Sequence, residues 1–173
     1  MKKKLLALAF ALVLFFMVLP ASYTDAATTV PAKVTTACKH CINENGKCVV
    51  VDRQASKIYV MQKKGRKWSL VKSFNCICGD GMRSDYHYFL LRNRDTDRKT
   101  WRVGSDRYKH VITVDCYDEL RTTTFHSYVQ RKTGGVWKTY KTRRLNYLGI
   151  SVCDKNAEWM FNNLGDGTAV EFI

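Results

Sequence analysis

Apolar and polar positions alternate through most of the chain after residue 47, and that period of two predicts strands. Residues 49–52 are a β-branched run closed by a turn at 53–56. In 57–62, Ile58 and Val60 fall on one face and Tyr59 and Met61 on the other, so the two segments form a hairpin. After a turn at Gly65, a third strand runs from Trp68, Leu70 and Val71 through Phe74 and Cys78 and stops at the glycine-rich bend Gly79-Asp80-Gly81. Further strands are expected over 86–92, which is dense in aromatics, over 111–116, where Val111, Thr113 and Asp115 oppose Ile112, Val114 and Cys116, and over 122–129. Residues 94–99 form a charged excursion, and the polar, glycine-containing stretch 131–144 has the length of a flap. Ala157, Met160, Phe161 and Leu164 recur at i, i+3, i+4 and i+7, the stripe of an amphipathic helix that Gly165 ends. Ser151-Val152-Cys153-Asp154 ahead of it fits a capping box, and 168–173 reads as a closing strand. One helix amid about seven strands predicts a mainly β sandwich or barrel with the helix set against it.

The amino terminus follows another pattern. Lys2, Lys3 and Lys4 precede an apolar run over 5–19 that ends near Pro20, with Thr24 and Ala26 placed like the small residues before a cleavage site. Residues 1–26 read as a secretory signal peptide. The run falls short of the ~20 residues of a comfortable bilayer span, so no stable membrane span is expected after cleavage. Residues 27–46 are expected to be a linker, extended over 27–37 and carrying a cysteine cluster, with the domain over 47–173.

Composition then narrows the function classes. The chain has 173 residues, 46% of them hydrophobic, and a formal net charge of +14. A collagen, a coiled coil and a polytopic membrane protein are excluded. Outside the cell a basic protein meets teichoic acids, lipid head groups and wall carboxylates, so anionic wall polymers are the expected partners and nucleic acid is not. The lysines and arginines are spread over 33–155, as on a solvated face.

All seven cysteines, Cys38, Cys41, Cys48, Cys76, Cys78, Cys116 and Cys153, lie in the exported part. An odd count leaves at least one thiol over, as a nucleophile, an intermolecular link or a small buried hydrophobe. Cys38, His40, Cys41 and Cys48 carry a zinc-like spacing, but the second Cys-x-x-Cys pair is missing. A disulfide of Cys41 or Cys38 with Cys48 is therefore expected rather than a metal site.

Several separated motifs resemble one family. Val49-Val50-Val51-Asp52 through Ile58-Tyr59-Val60, then Lys72-Ser73-Phe74 and Cys78-Gly79, resemble the opening of the L,D-transpeptidase catalytic domain, the YkuD-like family of bacterial wall cross-linking enzymes. Phe125-His126-Ser127 is similar to the family's Phe-His-Ser strand and Leu148-Gly149 to its Leu-Gly. The stretch from Asn156-Ala157-Glu158-Trp159 to Asn163, followed by Gly167-Thr168-Ala169-Val170, resembles its closing helix and final strand. The resemblance covers 47–173. It implies an L,D-transpeptidase-like β-sandwich or barrel with one C-terminal helix, a secreted protein of the cell wall, and peptidoglycan stem peptides as partners. It further implies cofactor-free acyl transfer: a cysteine thiolate attacks a tetrapeptide-stem amide, releases D-alanine, and the acyl-enzyme passes to an amine of another stem. On the same grounds His126 is the base and Ser127 the residue whose carbonyl orients it.

The family's Ser-His-Gly-Cys-Ile-Arg-Leu motif is absent. Between Leu148-Gly149 and Ala157 the chain reads only Ile150-Ser151-Val152-Cys153-Asp154-Lys155-Asn156. Counting back from the helix without a gap puts Gly149 at the nucleophile, Tyr147 at the second His and Ser151 at the Arg. A gapped pairing instead keeps Cys153 as nucleophile, with Lys155 holding the substrate carboxylate. The helix N-terminus favours a thiolate at Cys153, whereas Val152 replaces the glycine that aims oxyanion donors. The expectation is an impaired transpeptidase or pseudoenzyme; the alternative is a non-catalytic peptidoglycan- or partner-binding module of the same fold.

Overall fold

The computed structural model describes residues 29–79, 88–91, 97–114, 123–142 and 149–173. The expected signal peptide over 1–26, the bend at Asp80 and Gly81, and Cys116, Tyr147 and Leu148 lie outside the described residues.

Two sheets make the body. In the first, β1 (Lys47–Asp52) and β2 (Lys57–Lys64) form the expected hairpin, and β3 (Lys67–Asn75) extends it. On the other side β12 (Ala169–Phe172) pairs in parallel with β1, and β5 (Tyr88–Leu90) pairs with β12, giving the order β3-β2-β1-β12-β5. The second sheet runs from β10 (Val136–Tyr140) through β9 (Val129–Thr133), β7 (Asp106–Val114), β8 (Thr123–Ser127) and β11 (Gly149–Val152) to β4 (Ile77–Cys78), with β6 (Arg98–Val103) on β7. The third strand of the sequence reading thus breaks at Cys76 and crosses from one sheet to the other.

Alternation decides which residues meet. Val49, Val51, Ile58 and Val60 enter the core between the sheets with Phe125, Ile150, Val152 and Phe172. Helix α2 (Asp154–Asn163) closes that core with Ala157 and Met160; Leu164 and the partly buried Phe161 complete the stripe as expected. Burial of side chains this size contributes about 1.5–3 kcal/mol each.

Three expectations are corrected. Residues assigned to an extended linker form helix α1 (Ala32–His40) behind Pro31, whose fixed φ suits a helix start. It folds there because β1 and β2 are apolar on both faces: Cys48, Val50, Tyr59 and Met61 need a cover, and Val34, Ala37 and Cys38 supply it. The Lys33 Nζ also reaches the buried carboxylate of Asp52 at 2.6 Å. The supposed flap at 131–144 contains the β9–β10 hairpin, whose two-residue turn uses Gly134 and Gly135 at φ 58° and 81°. No capping box forms, because Ser151 is committed to β11; Cys153 is the N-cap of α2 and makes no side-chain cap hydrogen bond.

Candidate active site

Strands β8 and β11 run in parallel, pairing Gly149 with Thr124, Ile150 with Phe125, Ser151 with His126 and Val152 with Ser127. Phe125, Ile150 and Val152 point into the core. Thr124, His126, Gly149 and Ser151 therefore share the opposite face of the sheet.

His126 is held from two sides on that face. Its Nδ1–H donates to the Ser127 carbonyl at 2.6 Å, and since a carbonyl only accepts, Nδ1 carries the proton and Nε2 the lone pair. Tyr108 meets the ring edge to face at 4.9 Å, and Trp101 lies 5.8 Å beyond Tyr108. Burial lowers the imidazole pKa to about 4, against the opposing pull of the Ser127 carbonyl. The ring is thus neutral at pH 7 and in the form of a base.

Among the described residues it is the backbone of Gly149 that stands against that base. Gly149 lies so close to Nε2 that a Cβ there would come within 2.3 Å of it and 3.3 Å of Thr124 Oγ1. Ser127 does more than present its carbonyl: its Oγ accepts the Lys109 N–H at 2.9 Å and donates to the Tyr128 carbonyl at 3.2 Å, locking the strand end that carries His126.

Cys153 has other surroundings. It follows β11, its carbonyl accepts the N–H groups of Asn156 and Ala157, and the thiol is half-buried at the mouth of α2. Burial first, then the charge of Cys153, raises the Tyr128 phenol. Lys72, 4.5 Å over the Trp159 ring, is lowered by burial and then by Lys155, with Cys153 acting the other way. Cys153, Lys155, Lys72 and Tyr128 therefore gather at the start of α2. Among the described residues no hydrogen bond joins Cys153 to His126.

Sequence reading passed over Tyr108 and Trp101, single aromatics in a charged stretch: Tyr108 meets His126 because β7 lies beside β8, and the β6–β7 register sets Trp101 against Tyr108. It also passed over the polar chain behind the sheet. Arg107 donates to Gln130 Oε1 from Nε at 2.9 Å and from a terminal nitrogen at 2.6 Å; Gln130 and Lys109 in turn reach Asp154 at 3.4 and 3.1 Å. These contacts tie α2 to β7 and β9.

The other expected cluster lies under α1. Cys41 and Cys48 approach to 2.7 Å, and both are free thiols. His40 stands exposed at the helix end. Among the described residues no group of three or more His, Cys, Asp or Glu is arranged to hold a metal ion, and no helix is long and apolar enough to cross a membrane.

These two sheets with the closing helix are the fold of the L,D-transpeptidases. No family profile matches the chain, and no curated protein matches it by sequence. The likeness appears in three dimensions. A fused zinc-dependent amidase/peptidase/peptidoglycan-binding domain protein of Clostridium acetobutylicum superposes with a TM-score of 0.62 at 14% identity, over 87% of this chain and 63% of that one. L,D-transpeptidase 1 of Mycobacterium tuberculosis does so with a TM-score of 0.52 at 13% identity, over 73% of this chain and 61% of that one. The chain thus spans about six tenths of the length of these two structures.

Proposed function

We propose that this chain is a secreted, wall-facing protein that holds peptidoglycan stem peptides on the face bearing Trp101, Tyr108 and His126, with acyl transfer impaired. The observation that carries this reading is Gly149 against His126 Nε2. A transpeptidase base must reach the proton of a nucleophile within hydrogen-bond distance. Among the described residues the one set against Nε2 is Gly149, which has no side chain, as the ungapped pairing of Gly149 with the family's cysteine implies. Binding needs no thiolate. The Trp101 ring, 39% exposed, offers an apolar face for a sugar or peptide, and the positive charge of the chain favours carboxylate-bearing stems and anionic wall polymers. The Clostridium acetobutylicum protein, whose name includes a peptidoglycan-binding domain, supports the same partner.

A second reading keeps Cys153 as a relocated nucleophile and Lys155 as the carboxylate holder, favoured by the place of Cys153 at the N-terminus of α2. Intact-mass measurement after incubation with a tetrapeptide-stem muropeptide or a carbapenem separates the two. Binding of the muropeptide without a covalent adduct is the expected result. An adduct that disappears in Cys153→Ala would establish the second reading, and absence of binding would end the first.

A further inference from the structure

A cavity of about 420 Å³ opens between α1 and the β2–β3 hairpin, and it lies apart from the His126 face. Cys41 lines it together with Lys39, Lys63, Arg66 and Lys67. The four cations come from α1, from β2 and from the turn and start of β3. Among the described residues none of them meets a carboxylate at ion-pair distance. Four uncompensated positive charges around one concavity attract a multiply charged anion and raise its local concentration.

The thiols in this region are unequally placed. Cys41 is half-buried at the cavity wall, whereas Cys48 is wholly buried in β1, with its sulfur 2.7 Å from that of Cys41. A part-exposed thiol in an electropositive setting, backed by a second thiol within bonding reach, is the arrangement of a redox-active pair. We infer that the cavity admits a small anionic disulfide, which Cys41 attacks and Cys48 resolves.

The electron count closes without another reactant. The Cys41 thiolate attacks one sulfur of the small disulfide, forming a mixed disulfide and expelling one small thiolate. The Cys48 sulfur then attacks Cys41, its proton leaving with the second small thiol, and a Cys41–Cys48 disulfide results. One external disulfide is reduced to two thiols while two protein thiols are oxidised to one disulfide. Contact with Cys38 and Cys41, followed by burial, raises the Cys48 thiol, which keeps Cys48 protonated until the mixed disulfide presents itself. The product bond ties the end of α1 to β1, fastening the helix that covers the second core.

The test uses the reduced full chain and two oxidants of opposite character: oxidised glutathione, which is anionic, and hydroxyethyl disulfide, which is neutral. Acid-quenched peptide mapping should give a Cys41–Cys48 bond with both. Charge reversal by Lys63→Glu, Arg66→Glu and Lys67→Glu together should slow oxidation by glutathione disulfide about tenfold or more and leave the neutral oxidant within about twofold. In Cys48→Ser the glutathione adduct should accumulate on Cys41. Should that variant fail to fold, Cys41→Ser is the substitute, and it should abolish the rapid phase with either oxidant. Equal slowing of both oxidants, a first adduct on Cys48 or Cys38, or a Cys38–Cys48 bond as the product would each overturn the inference.

Discussion

The Nε2 of His126 and the Cα of Gly149 are in direct apposition across the parallel pair β8 and β11, closely enough that a methyl at 149 would overlap the imidazole. Glycine is required at 149 by its neighbour, and the backbone there has no positive φ to demand it.

Gly149→Ala should therefore lower stability by about 1–3 kcal/mol, the usual result of forcing a methyl into a packed site. In a His126→Ala background the same substitution should cost little. Denaturant melts of the four proteins in a double-mutant cycle measure the coupling. Additive losses would mean that the ring and the glycine do not press on one another.

Two buried groups give opposite pH slopes. His126 titrates at about 4 in the folded chain against an ordinary 6.5, so its neutral form is favoured by folding. Stability is full above about pH 6.5 and falls as the pH drops towards 4, by up to about 3 kcal/mol. Glu171, whose Oε2 is buried without a hydrogen-bond partner among the described residues, is raised by burial from 4.5 to about 7. Its contribution is intact below pH 4.5 and lost as the pH rises towards 7. Wild-type stability should be nearly flat between pH 4.5 and 6.5. Glu171→Gln should gain stability at pH 7 and show a clear rise with pH across that window; a flat profile in Glu171→Gln would contradict both assignments.

Lys33 and Asp52 join α1 to the first sheet. Burial pushes the Asp52 carboxyl up, but Lys33 and the N–H of Ala55 outweigh it and hold it below its ordinary value. Lys33→Met should cost about 1–2 kcal/mol at pH 7, less than a fully buried pair because Lys33 is half-exposed. The loss should shrink as the pH falls below 3.8 and Asp52 protonates. Hydrogen exchange of the amides of 34–40 should speed up in the variant while those of β2 do not change.

Cys153 caps α2 without a side-chain hydrogen bond. A serine oxygen is a better acceptor for the orphan N–H groups of the first turn, so Cys153→Ser should raise stability by about 0.5–1 kcal/mol. Muropeptide binding should be unchanged. Loss of binding in Cys153→Ser, measured by calorimetry, would show that the thiol belongs to the ligand site.

The alternation in β1 and β2, the stripe of α2 and the order of the family-like motifs were legible along the chain, because periodicity records which face each residue presents. The hairpin Val136–Tyr140 on Val129–Thr133 was obscured by its lysines and arginines: β10 is the sheet edge, and the turn end of β9 is exposed with it, so polar residues on both faces erase the pattern there. Helix α1 was hidden because its reason lies elsewhere, in the apolar outer face of β1 and β2 that Val34, Ala37 and Cys38 cover. The local sequence 151–156 determined that a turn of helix follows a strand, and that no Ser-His-Gly-Cys precedes it. Only the parallel register decided that Gly149 faces Nε2 and that Ser151, two residues before Cys153, is the strand partner of His126, because side-chain apposition across β8 and β11 is set by hydrogen bonds between segments more than twenty residues apart.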